Sequence, residues 1–160
     1  MQRRSRAREV ALQLLFQHDL NKLPVPRPEI EQFAHERLRA ADLCRFCLAL
    51  YDGVVAHREE IDTQLSRIAE NWRLSRMLPS DRNVLRLGSY ELLFPTETEA
   101  DPTPVPVIIN EAVELARRFG TADSAAFVNG ILDKVAQSSG RIPAAADSLT
   151  ETATAPSPVS

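Results

Sequence analysis

Four arginines close to the start of the chain are the side chains whose type and spacing most clearly suggest binding chemistry. Arg3, Arg4, Arg6 and Arg8 stand together without an acidic residue among them, although the whole chain carries a net charge of −3. A guanidinium group is planar, can donate two parallel hydrogen bonds to a phosphate, and can stack on a nucleobase. Because a short run of charge is also typical of a solvated helix end, the residues alone leave open whether this cluster binds RNA.

A second basic patch and two aromatic side chains add weaker support for RNA binding. The patch is predicted within residues 67–86, where five arginines outnumber two acidic residues. Phe16 and Trp72 lie off the predicted core positions and could stack on bases or contact a partner, although an aromatic residue at helical spacing is more often part of the core. The five arginines of the patch are Arg67, Arg73, Arg76, Arg82 and Arg86.

Cys44 and Cys47, the only two cysteines, have the spacing of a redox dithiol or of half a zinc site. A zinc site needs about four ligands, and none of the three histidines stands at a matching spacing. A dithiol of the thioredoxin type would begin a helix that follows a strand, whereas this pair lies inside an apolar helical segment. We therefore predict two buried or half-buried thiols rather than a metal or redox site.

No motif for catalysis or nucleotide binding occurs in the chain. The five glycines stand singly, so the sequence contains no motif of a glycine-rich phosphate-binding loop. A G-x-S-x-G nucleophile motif and an H-E-x-x-H zinc motif are both absent. The sequence thus predicts a protein that is not an enzyme and that uses no cofactor.

The elements that must position these residues are predicted to be helices. Apolar residues recur at helical spacing, and no alternating pattern typical of a strand is flanked by turn residues. Ser80 is expected to cap one helix, Gly120 to end the next, and Asp123 or Thr121 to cap the last. The predicted helices cover about 3–20, 28–39, 43–72 as one helix or two abutting ones, 81–93, 108–119 and 124–137. The predicted fold class is all-α.

Length and composition predict one folded domain with a tail. The chain has 160 residues, of which 44% are hydrophobic, and the domain is expected to span residues 1–138. Residues 139–160 are rich in Ala, Ser, Thr and Pro and are predicted to be disordered. Residues 95–106, with four prolines and intervening acids, are predicted to form an acidic loop.

Because we find neither a signal peptide nor an apolar run of about 18 residues, we expect a cytoplasmic protein without a membrane partner.

Four stretches of the sequence match a pattern known from one protein family. The most specific is residues 109–134, in which INEAVELARRFG is followed by DSAAFVNGILDK. The others are RAREVALQLLFQ at 6–17, NWRL at 71–74 and DRNVLRLGSYELL at 81–93. With these stretches the chain, from about residue 3 to 136, resembles the bacterial transcription antitermination factor NusB family.

The resemblance implies both a fold and a function. The implied fold consists of two packed three-helix bundles. The implied function is to join a small-subunit ribosomal protein, NusE, to the single-stranded boxA element of nascent ribosomal RNA leader transcripts. The pair then helps to load an antitermination complex on RNA polymerase. The expected partners are therefore boxA-like single-stranded RNA, NusE and the RNA polymerase antitermination complex.

The resemblance also implies roles for individual residues. The four N-terminal arginines match the family's arginine-rich RNA-binding arm. Phe127 matches an aromatic residue near the RNA, although it also fits the core face of its own helix, and Asp123 matches a cap position associated with RNA binding. Phe16 stands where the family often has tyrosine at the partner-binding face. Asp81 matches an acidic position on that same face.

Two other functions remain open at this stage. A helical protein-interaction module would bind a partner through its aromatic residues and leave the arginines in solvent. The RNA-binding domain of an rRNA methyltransferase would share the helical pattern, but it requires a Rossmann-type catalytic domain that 160 residues do not contain.

Overall fold

Seven α-helices and one 3₁₀ helix form the part of the chain that the structure describes. The structure is a computed structural model, and it describes residues 3–69, 74–95 and 102–141. No strand occurs within these ranges, and the predicted all-α class is confirmed. The α-helices are α1 (Arg3–Leu20), α2 (Arg27–Leu38), α3 (Ala41–Ala56), α4 (Arg58–Ile68), α5 (Pro79–Leu93), α6 (Val105–Phe119) and α7 (Ser124–Ser138), and the 3₁₀ helix (Leu74–Arg76) precedes α5.

Some of the predictions fall outside the described ranges. They concern Trp72 and Arg73, residues 96–101 of the predicted acidic loop, and the predicted tail from residue 142 onwards. The end of that loop is described, and it differs from the prediction because α6 already begins at Val105.

Three helices have a proline in their first turn: Pro28 in α2, Pro79 in α5 and Pro106 in α6. Proline suits this position because its fixed φ is helical and because the first-turn N–H that it lacks would have no partner within the helix. The predicted cap at Ser80 is therefore wrong. Leu78 occupies the N-cap position of α5, and it makes no side-chain capping bond.

The other two predicted caps also differ from the structure. Gly120 follows α6 as expected, but its φ of −105° is not left-handed. A Cβ atom there would lie 2.3 Å from Ser124 Oγ, so the close approach of α7 is what requires glycine. Asp123 precedes α7 without a side-chain capping bond. Instead, the Thr121 amide donates a hydrogen bond to Ser124 Oγ over 2.9 Å.

The predicted helical segment 43–72 is divided at His57 into α3 and α4. Gly53 lies inside α3 against the ring of Tyr90. A Cβ atom at Gly53 would come within 2.1 Å of Tyr90 Cζ, so glycine allows α3 and α5 to approach closely. At the division the His57 ring stacks on Phe94, with the ring centroids 3.8 Å apart.

Helix α5 is the central element. It packs against α1, α3, α4, α6 and α7, while α1, α2 and α3 also pack on one another, as do α6 and α7. Nearly every α5 residue from Asp81 to Leu92 is buried, as expected for a helix that is apolar on most sides. Among the described helices, none is long and apolar enough to cross a membrane.

Ion pairs, rather than an exposed basic surface, account for Arg82 and Arg86 of the predicted second patch. Arg82 Nε donates to Asp19 over 3.1 Å, and Arg86 Nε donates to Asp62 over 2.8 Å. The side chains of both arginines are less than 15% exposed. The second half of the predicted patch at 67–86 is therefore not a basic surface, because carboxylates from α1 and α4 neutralise it.

Candidate nucleic-acid interface

The first two turns of α1 bring three arginines to the surface, and we call Arg3, Arg4 and Arg6 the arginine arm. Arg3 and Arg4 are exposed, and the Arg6 side chain is 39% exposed. Arg3 pairs with Asp42 at the start of α3 over 3.3 Å, in an exposed ion pair that contributes little stability. The guanidinium carbon of Arg4 lies 4.7 Å from the ring centroid of Phe46. The arm is thus a cationic surface supported by the first half of α3.

Arg8 is placed differently from the other three arginines. It is 3% exposed and donates from Nε and Nη2 to the carboxylate of Glu91 on α5, over 2.9 and 2.8 Å. Its Nη1 also lies 3.9 Å from Glu111 on α6. The expectation that Arg8 contacts phosphate therefore does not fit the structure, in which this guanidinium joins α1 to the core. Arg8 lies one helical turn before Leu12, which is also buried, so helical spacing is the sequence feature that could have indicated this placement.

A cleft of about 440 Å³ lies between the start of α5 and the start of α7. It brings together Asp81, Asp123 and Phe127, three residues that the resemblance assigns to two different ligands. Asp81 is 8% exposed, and its Oδ1 atom has no hydrogen-bond partner among the described residues. Asp123 is exposed at the rim, whereas Phe127 is half-buried and packs against the core. The remaining lining residues are Arg76, Met77, Leu78, Thr121 and Ser124.

A second, smaller groove of about 290 Å³ lies between α1 and α6. Phe16 and Phe119 are 37% and 38% exposed, and both line this groove. Gln13 also lines it, and the buried Gln13 Oε1 atom has no partner among the described side chains. An apolar groove with one unused polar atom is suited to a protein partner that inserts an apolar side chain and donates a hydrogen bond.

The cleft and the groove meet at the first turn of α5. Ser80 lines the groove, and the next residue, Asp81, lines the cleft. The predicted partner-binding residues Phe16 and Asp81 therefore lie in two adjacent depressions rather than in one. A ligand that occupied both would pass over the start of α5.

The two cysteines lie in the core, as expected. Cys47 is fully buried, and burial raises the pKa of its thiol to about 12. Burial also raises the pKa of the Cys44 thiol. Thiols with raised pKa values are poor nucleophiles and poor metal ligands at neutral pH. The described residues contain no group of three or more side chains that could hold a metal ion.

Comparisons with known proteins converge on one family. A family model described as the NusB family matches residues 5–137. The chain is 42% identical to the transcription antitermination protein NusB of Desulforudis audaxviator, over 84% of this chain and 94% of that protein. It is also 42% identical to the protein of that name from Geobacillus kaustophilus, over 83% of this chain and 95% of the relative.

Similar solved structures belong to the same family. The T. maritima NusB structure superposes with a TM-score of 0.69 at 37% identity, and the match covers 84% of this chain and 90% of that one. A chain in the crystal structure of the antitermination factors NusB and NusE in complex with double-stranded RNA superposes with a TM-score of 0.72 at 27% identity, over 86% of this chain and 98% of that one.

Proposed function

The chain belongs to the NusB family, and from this we infer that it is a transcription antitermination factor, which binds RNA and a partner protein without catalysing a reaction. The RNA is of the boxA type, in nascent ribosomal RNA leader transcripts, and the partner is the small-subunit ribosomal protein NusE. Together they help to load an antitermination complex on RNA polymerase in the cytoplasm. A complex of NusB, NusE and RNA among the similar structures supports this assignment.

The observation that carries the RNA-binding part is the arginine arm. Its three guanidinium groups lie at the exposed end of α1, while Arg8 and Glu91 hold the same helix against α5. A rigid helix that presents several guanidinium groups can bind phosphates with little loss of conformational entropy. In this proposal Arg3, Arg4 and Arg6 contact the RNA backbone, and Arg8 positions them.

The cleft and the groove supply the remaining contacts. Asp123 and Phe127, in the cleft, lie near the RNA, and the half-buried Phe127 ring offers a face to a base. Phe16 and Asp81 contact the protein partner from the groove and the adjoining cleft wall. Because these depressions meet at Ser80 and Asp81, RNA and partner would lie side by side over α5. We assign the whole function to a domain of residues 1–138 and none of it to a tail of residues 139–160.

The test is a titration of the full chain with a boxA-like single strand, alone and with NusE, at several salt concentrations. If the three arm arginines contact phosphates, the slope of log K against log salt is about −2, or roughly 0.7 per contact on a single strand. The double variant Arg4→Glu/Arg6→Glu is expected to flatten this slope and weaken binding.

The matched control is Lys22→Glu/Lys134→Glu, which changes the net charge equally. Lys22 lies beyond the opposite end of α1, a helix about 27 Å long, and Lys134 is exposed on α7 outside the cleft and the groove. Binding of NusE without any RNA affinity would favour the protein-interaction module instead. A matched double-stranded RNA distinguishes recognition of a single strand from general affinity for phosphate.

A further inference from the structure

A buried carboxylate on α1 holds two arginines from different helices. Glu9 is 5% exposed. Its Oε2 atom accepts a hydrogen bond from Arg6 Nη1 over 2.9 Å, and its Oε1 atom accepts one from Arg118 Nη1, in the last turn of α6, over 2.7 Å. Arg118 stands 109 residues away from Glu9 in the chain. The two guanidinium groups are therefore neighbours only because the tertiary structure brings the last turn of α6 beside α1.

The two arginines remain accessible although their common partner is not. The side chains of Arg6 and Arg118 are 39% and 45% exposed, against 6% for the side chain of Glu9. Two cations share one anion, so the cluster keeps one positive charge. Each guanidinium has five N–H donors. Among the contacts of the described residues, Glu9 receives hydrogen bonds from Nη1 of Arg6 and from Nη1 and Nη2 of Arg118, which leaves donors for another acceptor.

We propose that Arg6 and Arg118 form a clamp for one phosphate of the RNA backbone, with Glu9 as the positioning residue. This inference rests on the proposed RNA-binding function and extends the arginine arm from α1 onto α6. A phosphate between the two guanidinium groups would receive charge-assisted hydrogen bonds from both sides. The clamp also lies beside the groove, since Phe119, the residue after Arg118, lines it. It therefore connects the RNA-binding arm with the protein-binding groove.

The neighbouring arginine provides a matched control. Arg117 is 59% exposed and pairs with Glu114 of its own helix, which is 56% exposed. It has a similar place in the chain and the same charge as Arg118. It lacks the buried carboxylate and the second guanidinium. A general attraction between RNA and positive charge would depend on both arginines equally, whereas a clamp depends on Arg118 alone.

The first experiment compares Arg118→Gln with Arg117→Gln in RNA titrations over a range of salt concentrations. Arg118→Gln is expected to weaken binding about tenfold at low salt and to reduce the salt slope by up to about 0.7, the value for one phosphate on a single strand. Arg117→Gln is expected to leave both unchanged. Equal effects of the two variants, or no effect of Arg118→Gln, would overturn the clamp. If the wild-type chain itself binds no RNA, it is the proposed function that fails.

A double-mutant cycle tests whether the two arginines share one phosphate. The variant Arg6→Gln/Arg118→Gln is expected to weaken binding by less than the product of the two single effects, because each substitution already breaks the same clamp. A double variant whose effect equals that product would indicate two independent contacts and overturn the shared site.

Glu9→Gln tests the positioning role through the sign of its effect. The substitution makes the protein more positive by one charge, so a purely electrostatic role predicts tighter RNA binding. A positioning role predicts weaker binding, because the two guanidinium groups lose the carboxylate that holds them. Tighter binding by a folded Glu9→Gln variant would overturn the role of Glu9. If circular dichroism shows this variant to be unfolded, the Arg118 and Arg117 comparison decides the proposal.

Discussion

Arg8 and Glu91 form a doubly hydrogen-bonded ion pair in the interior, although 83 residues separate them in the chain. Their side chains are 4% and 8% exposed. The pair joins the N-terminal half of α1 to the C-terminal half of α5, while Asp19 and Arg82 join the opposite ends of the same two helices. Helix α1 is thus held against the central helix at both ends, and this fixes where the arginine arm projects.

Replacing Arg8 by glutamine is expected to destabilise the fold by about 3–5 kcal/mol, because Glu91 would remain buried without its partner. The double variant Arg8→Met/Glu91→Leu should recover most of that loss, since the buried Glu91 carboxylate is then removed together with its partner. Urea denaturation followed by circular dichroism measures both variants. An Arg8→Gln variant of wild-type stability with reduced RNA affinity would contradict this placement and return Arg8 to the RNA surface.

Acidic pH should weaken the ion pair between Asp19 of α1 and Arg82 of α5. Burial alone would raise the pKa of this carboxyl, but the hydrogen bond and charge of Arg82, with Arg86 and Asn83, outweigh burial and hold the pKa below its ordinary value of 3.8. A carboxyl group whose pKa is lower in the folded than in the unfolded state stabilises the fold at pH values above its ordinary pKa. This stabilisation is lost as the pH falls through the lowered folded-state pKa. Asp19→Asn is therefore expected to cost about 3 kcal/mol at pH 7, with a difference from wild type that shrinks below about pH 4.

The control for Asp19 is Asp133→Asn, at an exposed position of α7, which should change stability little at any pH. Unfolding free energies between pH 2 and pH 7 give the comparison. A difference between Asp19→Asn and wild type that stays constant over this range would rule out the ion-pair explanation.

The close packing of α3 on α5 predicts opposite effects of alanine at two glycines. At Gly53 a methyl group would collide with the Tyr90 ring, so Gly53→Ala is expected to destabilise by about 1–3 kcal/mol. At Gly130, inside α7, no atom lies within 4 Å of the added Cβ apart from its chain neighbours and the backbone of its own helix. Gly130→Ala should therefore stabilise by up to about 1 kcal/mol through helix propensity. Thermal melting of the two variants measures both effects. A shift of the melting temperature in the same direction in both variants would contradict the prediction.

The groove between α1 and α6 predicts a substitution that weakens partner binding without lowering the stability of the fold. Phe16→Ala should weaken NusE binding roughly 30-fold, as expected when an aromatic contact at the centre of an interface is removed. Because Phe16 is already 37% exposed, the fold should lose little stability. Leu20→Ala is the control, since Leu20 is 60% exposed on the same helix and does not line the groove. Calorimetric titration with NusE measures both, and equal affinities of the two variants would exclude the groove as the partner site.

Apolar periodicity and proline positions were sufficient to predict most helices. The bounds of α1 agree with the prediction, and α5 is central because its apolar residues occupy most sides. The predicted caps were less successful. The predicted cap at Ser80 is wrong because a proline one residue earlier already begins the helix. Glycine is required at position 120 by the contact with Ser124 rather than by a left-handed turn. Such close approaches between helices leave no periodic signal in the sequence.

The arginines show most clearly what the sequence determined and what only the tertiary structure decided. The sequence determined that guanidinium groups are concentrated at the start of α1, because a helix repeats every 3.6 residues and local spacing decides which residues share a face. It could not determine which of them meet a carboxylate on another helix. That depends on distances across packed helices, and it buries Arg8 on Glu91, turns Arg82 and Arg86 toward acids, and joins Arg6 to Arg118 through Glu9.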